Sequence, residues 1–190
     1  LPIEVSGSFY PKPIIYNENR GSAQCKSSVM LAALNTKGTT IIKAKKSRNH
    51  TELLFKHLKI PINIKKNEKY DLIKVSGKKN IKPFNYNIPS DISSSSFFII
   101  LTALSKNSKL QIKNVNINPT RIGVLKIIKM MGIKIKIRNK KIYKGERIAD
   151  LLVKNNLHNF RINFNEEHQL SQVKKLIKYD YWYQYHSNYQ

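Results

Sequence analysis

The sequence contains a single cysteine, Cys25, among its 190 residues. A disulfide within the chain is therefore impossible, and one thiol argues against a structural zinc site. No run approaches the roughly 18 apolar residues of a membrane-spanning helix, and the first residues do not have the pattern of a signal peptide. We therefore expect a cytoplasmic protein that contacts no membrane and holds no structural metal.

Acidic residues are also scarce, since 11 Asp and Glu stand against 35 Lys and Arg, for a net charge of +24. A surface this basic is typical of nucleic-acid-binding proteins, because it releases counterions from phosphate backbones. The lysines, however, are spread over predicted strands and loops, and no group of aromatic residues forms a platform for stacking bases. The charge equally suits a site for a small anionic metabolite, and nucleic-acid binding is kept as the alternative.

Local patterns predict alternating helices and strands in the first half of the chain. Apolar residues at helical spacing predict a helix at 25–35, ended by Gly38. Residues 49–52, Asn-His-Thr-Glu, have the form of a capping box and predict a second helix that runs to Leu58. Strands are predicted by β-branched and alternating residues at 39–45, 60–66 and 71–75.

The same order of elements recurs about 70 residues later, with Leu104 matching Leu34. It comprises a helix, a strand, a helix that starts with proline near its first turn, and a strand, predicted at 93–104, 109–118, 118–132 and 133–137. This is an internal repeat of helix–strand–helix–strand–strand. Alternating strands packed on helices predict an α/β layer architecture.

Two short stretches have the composition of an anion site. Ser22 and Gln24 open the first helix, whose N-terminus offers unpaired N–H groups and partial positive charge. Arg48 opens the second helix, and a guanidinium suits phosphate. Cys25 follows Gln24 with no activating histidine pattern, so we expect it to be a small buried hydrophobic residue.

These residues lie in blocks whose order and gaps resemble the EPSP synthase family, the 3-phosphoshikimate 1-carboxyvinyltransferases. The resemblance covers roughly residues 1–150. Its blocks are Gly-Ser-Ala-Gln-Cys-Lys-Ser-Ser-Val-Met-Leu-Ala-Ala-Leu-Asn at 21–35, Ser-Arg-Asn-His-Thr-Glu at 47–52, Ile-Pro-Ser-Asp-Ile-Ser-Ser-Ser-Ser-Phe-Phe at 88–98, Asn-Val-Asn-Ile-Asn-Pro-Thr-Arg-Ile-Gly at 114–123, Met-Gly at 131–132 and Gly-Glu-Arg-Ile-Ala-Asp at 145–150.

The resemblance implies transfer of the enolpyruvyl group from phosphoenolpyruvate to the 5-hydroxyl of shikimate 3-phosphate, a step toward chorismate and the aromatic amino acids. It implies a monomer with no cofactor. The implied fold is a two-lobe inside-out α/β barrel of repeated βαβαββ units, incomplete here. Ser22, Ala23, Gln24 and Arg48 would bind shikimate 3-phosphate, and Gln24 would also lie near phosphoenolpyruvate.

The resemblance also divides the chain. Residues 1–87 would end the first lobe, residues 88–91 would cross between lobes, and residues 92–155 would begin the second. Residues 156–190 depart from the pattern, and we expect a disordered or frameshifted tail. Ser90 stands where the family has glycine, which predicts a stiffer or strained crossing.

The family's N-terminal lysine, serine and arginine contacts and its acid–base residues have no counterpart here. Glu166, Glu167 and Asp180 stand in no matching context, so no catalytic residue is assigned. We therefore expect a central fragment of such an enzyme that is inactive alone. A fragment of the sister transferase that acts on UDP-N-acetylglucosamine is the second alternative.

Overall fold

A computed structural model of the chain describes residues 2–4, 6–77 and 80–155, so the predicted tail at 156–190 lies outside the described residues. The chain divides into two compact units, 1–83 and 84–190. The boundary falls shortly before the predicted crossing segment at 88–91, and the assignment of the units to two enzyme lobes stays a prediction. Within the described part of the chain, no helix has the length and apolar character needed to cross a membrane.

Unit 1 has the element order βαβαββ. Its elements are β1 (Ile15–Glu18), α1 (Ala23–Leu34), β2 (Thr39–Lys45), α2 (His50–His57), β3 (Ile62–Lys66) and β4 (Tyr70–Ser76). The sheet order is β1-β2-β4-β3, with β1 parallel to β2 and the other neighbours antiparallel. The predicted helices and strands are confirmed to within a few residues, and β1 is a strand that the sequence patterns did not predict.

The core of unit 1 lies on one face of this sheet. Alternate side chains of β2 and β4 point inward, and Met30 of α1 and Phe55 of α2 cover them, so that the main buried residues are Met30, Ala33, Ile42, Ala44, Phe55, Ile60, Ile73 and Val75. The opposite side chains of β2, such as Lys43 and Lys45, are exposed. This alternation is what a mainly antiparallel sheet covered on one side requires.

Unit 2 repeats this arrangement from the first helix onward, without a full counterpart of β1. Its elements are α3 (Ile92–Leu104), β5 (Ser108–Asn116), α4 (Gly123–Met130), β6 (Ile135–Tyr143) and β7 (Glu146–Asn155), with sheet order β5-β7-β6. The central strand matches β4 of unit 1, and the helices match α1 and α2. The internal repeat and the mixed α/β fold class are therefore confirmed.

Ser90 occupies the place in unit 2 that β1 occupies in unit 1. It forms a parallel bridge with Val115, its N–H donates to the Asn114 carbonyl at 3.0 Å, and its carbonyl accepts from the Asn116 N–H at 2.9 Å. Its φ is not among the positive values of the described residues. The predicted backbone strain is therefore wrong, because Ser90 has the extended backbone of a one-residue strand.

The predicted start of the helix at 118–121 is also wrong, since α4 begins at Gly123. The Asn118 side-chain oxygen accepts from the Thr120 N–H at 2.9 Å and from the Thr120 hydroxyl at 2.8 Å. An asparagine that bonds the backbone two residues on forms a turn. Because of this turn, α4 begins only after the Asn-Pro pair that predicted its start.

Asp150, on the central strand β7, joins the two neighbouring strands where each has a bulge. One carboxylate oxygen accepts from the Asn114 N–H at 2.9 Å, and the other accepts from the Asn139 side-chain amide at 2.7 Å. Both asparagines have φ near +50°, a left-handed conformation that asparagine tolerates. The Asn114 N–H, the Asn139 amide and the charges of Lys113 and Lys141 hold the pKa of Asp150 below its usual 3.8.

A carboxylate whose pKa is lowered by folding stabilises the fold at pH values above its unfolded pKa. That stabilisation is lost as pH falls through the lower, folded pKa. We therefore expect D150N to lower the free energy of unfolding of unit 2 at pH 7, and the deficit to shrink below pH 3.8. Urea unfolding of both proteins from pH 7 to pH 2 measures this, with E68Q as a control for the loss of one exposed carboxylate. A deficit that is independent of pH would contradict it.

Candidate functional site

The loop between β1 and α1 is held by a buried carboxylate. Glu18, 2% exposed, ends β1. Its two oxygens accept from the Arg20 N–H at 2.9 Å and the Gly21 N–H at 2.8 Å. Gly21 has φ +74°, which suits glycine best. The carboxylate and the glycine together turn the chain sharply into the start of α1.

The first turn of α1 carries the three residues that the sequence places in an anion site. Ser22 is the N-cap, and its hydroxyl accepts from the Cys25 N–H at 3.2 Å. Ala23 and Gln24 are the first two helical residues, and the Gln24 side chain is exposed. First-turn N–H groups have no intrahelical acceptor, and no acidic side chain lies in this turn. The helix end therefore offers donors and partial positive charge to an anion.

The loop between β2 and α2, residues 46–49, lies at the same edge of the sheet. Because β1 and β2 are parallel, their carboxyl ends meet at one edge, where ligands of open α/β sheets bind.

A buried lysine of α1 links the two loops. The Lys26 ammonium is 2.6 Å from a Glu52 carboxylate oxygen and donates to the Arg48 carbonyl at 2.8 Å. The Ser27 and Thr51 hydroxyls form a second link at 2.7 Å.

Two sequence predictions in this region are wrong. Asn49 is the N-cap of α2 but makes no side-chain capping bond, and Glu52 pairs with Lys26 instead of completing a capping box. A charge-assisted bond in a dry site outweighs a bond to a loop N–H. Cys25 is exposed rather than buried, because the inward face of α1 carries Lys26 and Met30.

Ser47 is a further candidate residue of this site, to which the sequence assigned no role. Its hydroxyl is buried, and among the described residues it has no hydrogen-bond partner. A buried hydroxyl without a partner is costly unless a ligand satisfies it. The sequence signals were its position directly before Arg48 and its place as the first residue of the block at 47–52.

In unit 2, a carboxylate of the chain itself occupies the N-terminus of the equivalent helix, α3. Asp91 is the N-cap of α3 and accepts from the Ser94 N–H at 2.8 Å. Arg121, from the loop before α4, lies 3.0 Å from an Asp91 oxygen and donates to the Ser93 hydroxyl at 2.6 Å. Partial burial would raise the pKa of Asp91, but the bonds from Ser94 and the Arg121 charge lower it overall. Unit 1 has the uncharged Ser22 at this position, so an external anion suits unit 1 and not unit 2.

The described residues contain no group of three or more His, Cys, Asp or Glu side chains placed to hold a metal ion. The donors at the unit 1 site are a guanidinium, hydroxyls, an amide and helix N–H groups. Such a set recognises a phosphorylated or polyhydroxylated anion.

Comparison with known sequences decides the family. The sequence model of the family described as EPSP synthase (3-phosphoshikimate 1-carboxyvinyltransferase) matches residues 1–164. The chain belongs to the EPSP synthase family. The resemblance stated from the motif blocks is thereby confirmed, and the two alternatives, the UDP-N-acetylglucosamine enzyme and a nucleic-acid-binding protein, are not favoured.

Curated relatives carry the same name. The chain is 44% identical over 155 residues to the 3-phosphoshikimate 1-carboxyvinyltransferase of Petrotoga mobilis, covering 80% of this chain and 35% of the relative. It is 39% identical over 169 residues to that of Caldicellulosiruptor bescii, covering 87% of this chain and 39% of the relative. The chain therefore spans about a third of the length of the curated relatives it matches.

Solved structures agree. An EPSP synthase from Acinetobacter baumannii superposes with TM-score 0.68 at 31% identity, covering 91% of this chain and 38% of that chain. A second structure of the enzyme from this organism, at 2.37 Å, gives TM-score 0.65 at 34% identity, covering 76% of this chain and 32% of that chain. The fold class expected from the EPSP synthase family is therefore confirmed for this chain.

Proposed function

We propose that this chain is part of a 3-phosphoshikimate 1-carboxyvinyltransferase and that unit 1 binds shikimate 3-phosphate. The whole protein would transfer enolpyruvyl from phosphoenolpyruvate to the 5-hydroxyl of that substrate and release phosphate. The observation that carries the proposal is the link through Lys26, which holds the start of α1 and the Arg48 loop at one sheet edge. The name shared by the relatives supports the choice of substrate.

The resemblance to the family assigns a proposed role to each predicted site residue. The first-turn N–H groups at Ala23 and Gln24 would bind phosphate or ring hydroxyl oxygens, together with the Ser22 cap. The exposed Gln24 amide would donate to shikimate 3-phosphate and lie near phosphoenolpyruvate. Arg48 would pair with the phosphate through charge-assisted bonds. The buried Ser47 hydroxyl would gain the partner that it lacks in the described structure.

We expect the chain by itself to bind shikimate 3-phosphate without turning it over. Enolpyruvyl transfer moves a proton to and from the enolpyruvyl carbon and needs positioned acids and bases. None of the site residues described above is an acid or base aimed at a reacting carbon. A monomeric state and a cytoplasmic location belong to the same proposal.

Binding of shikimate 3-phosphate to the 190-residue chain tests the proposal. Isothermal titration of the wild type should show saturable binding. R48M should weaken it by about tenfold or more, because a lost hydrogen bond to a charged group is worth about 1.5–3 kcal/mol. Q24A should weaken it by about threefold to tenfold, the range for a neutral donor.

Matched ligands and variants make this test specific. K74M removes a positive charge from an exposed position on β4 and should leave the dissociation constant unchanged. Stronger binding of UDP-N-acetylglucosamine than of shikimate 3-phosphate would favour the sister transferase. Binding of RNA that falls steeply with salt, without competition by shikimate 3-phosphate, would favour a nucleic-acid-binding protein.

A further inference from the structure

Lys26 is among the largest fully buried side chains of the described structure, at 1% exposure. Lysine is almost never fully buried unless it is paired. Its partners are the Glu52 carboxylate at 2.6 Å and the Arg48 carbonyl at 2.8 Å. Glu52 is itself 3% exposed, and its second oxygen has no hydrogen-bond partner among the described residues. The fold therefore keeps a buried ion pair whose carboxylate is only half satisfied.

Stability alone does not account for this pair. Well-packed apolar residues of similar volume are often as stable as a buried ion pair, or more stable. The pair also adds no net charge to the site, because the Glu52 carboxylate balances the Lys26 ammonium. Attraction of a phosphate is therefore not its contribution. What remains is the geometry that the pair imposes on the loop between β2 and α2.

The geometry concerns the backbone on both sides of Asn49. The ammonium of Lys26 binds the carbonyl of Arg48 before that residue and the carboxylate of Glu52 after it. The bond between Ser27 and Thr51 adds a second tie between the same helices. Both ties start within the first turns of α1, directly after Ser22–Gln24. They therefore fix where the Arg48 backbone lies relative to the N–H groups of the anion site.

We propose that Lys26 and Glu52 are positioning residues that hold Arg48 in register with the N-terminus of α1 for ligand binding. The proposal rests on the proposed function, since it takes shikimate 3-phosphate as the ligand. Lys26 binds the carbonyl of Arg48 and so fixes the backbone position of that residue. Binding then does not have to order the loop backbone that carries Arg48, so less conformational entropy is lost.

The test replaces both members of the pair, so that no charge is left buried alone. The variant K26M/E52M keeps similar side-chain volumes and should unfold cooperatively at a urea concentration close to that of the wild type. It should bind shikimate 3-phosphate about tenfold more weakly, within the range of coupling within one network. K74M, which removes an exposed lysine of the same unit, should bind as the wild type does.

A double-mutant cycle separates positioning from general structure. If the pair acts through Arg48, adding K26M/E52M to R48M should weaken binding by no more than about twofold further, because the losses are not additive. Full additivity, or wild-type affinity of K26M/E52M, would overturn the proposal. Should K26M/E52M not unfold cooperatively, K26M/E52Q takes its place in the double-mutant cycle with R48M. It removes the bond to the Arg48 carbonyl, leaves no buried charge alone, and should weaken binding to a similar extent.

Hydrogen exchange supplies a readout that needs no ligand. In K26M/E52M the amides at 47–49 should exchange about tenfold faster, while those in the middle of α1 keep their protection. If the wild-type chain binds no shikimate 3-phosphate, the proposed function fails. The hydrogen-exchange rates at 47–49 then decide by themselves whether the pair anchors the loop. Faster exchange confined to 47–49 then supports the anchoring role of the pair, and unchanged exchange overturns it.

Discussion

K26M by itself is expected to lower the free energy of unfolding of unit 1 by about 3–5 kcal/mol, because it removes one partner of a buried ion pair. The Glu52 carboxylate, 3% exposed, would lose its countercharge and keep an oxygen that already lacks a partner among the described residues. The Arg48 carbonyl would lose its bond to Lys26 as well. Hydrogen exchange of the core amides of α1 and β2 measures the loss in unit 1 itself.

The double variant is the control for this prediction. K26M/E52M should recover most of the stability that K26M loses, because no charge then stays buried alone. A K26M protein with wild-type stability would show that the Glu52 carboxylate does not depend on the Lys26 charge in the folded chain. It would also remove the argument for a strongly coupled pair.

G77A is expected to lower the free energy of unfolding of unit 1 by about 3 kcal/mol. This is the upper end of the usual cost of adding atoms to a well-packed site. A Cβ atom at Gly77 would lie 2.1 Å from the carbonyl oxygens of both Ala33 and Thr36. These are backbone atoms at the C-terminal end of α1, so they cannot rotate aside as a side chain can. The Gly77 N–H also donates to the Gly38 carbonyl at 3.2 Å, so a shift of the backbone would break a second contact.

G7A provides the matched control, since a Cβ atom at Gly7 meets nothing within 4 Å. It should leave the stability of unit 1 unchanged within about 0.5 kcal/mol, as surface substitutions do. The free energies of unfolding of both variants come from urea titration with hydrogen exchange of β4 as the probe. A G77A protein as stable as G7A would mean that the end of α1 moves away at little cost.

The repeat was predictable from sequence because its signals are local. The alternation in β2 and β5 reports one buried face, whichever element covers it. The apolar stretches of α1 and α3 report helices but not their buried faces, since Leu31, Phe97 and Phe98 are exposed. β1 was missed because it has only four residues and one of them, Glu18, is a buried acid. The start of α4 was missed because Asn118 forms a turn where the sequence pattern predicts a helix start.

The family and the outline of the site were also predictable. The blocks around Ser22–Gln24 and Arg48 indicated EPSP synthase, and the family match confirmed it. Their roles in binding stay predictions, which the titrations above test. Lys26, Glu52 and Ser47 were not predicted as a group, because their meaning depends on contacts between α1 and the loop before α2. No periodicity within either segment reports such contacts.

The sequence by itself determined the α/β class, the internal repeat, the family and the residues that open α1 and α2, because local spacing and motif order are enough for these properties. Only the tertiary structure decided that a lysine at an inward position pairs with a glutamate from the next helix. Only the structure decided that Cys25 faces outward, and that unit 2 fills with Asp91 the helix end that unit 1 caps with an uncharged serine. The physical reason is that burial and charge pairing depend on which elements meet, and that is settled when the sheet and its helices pack together.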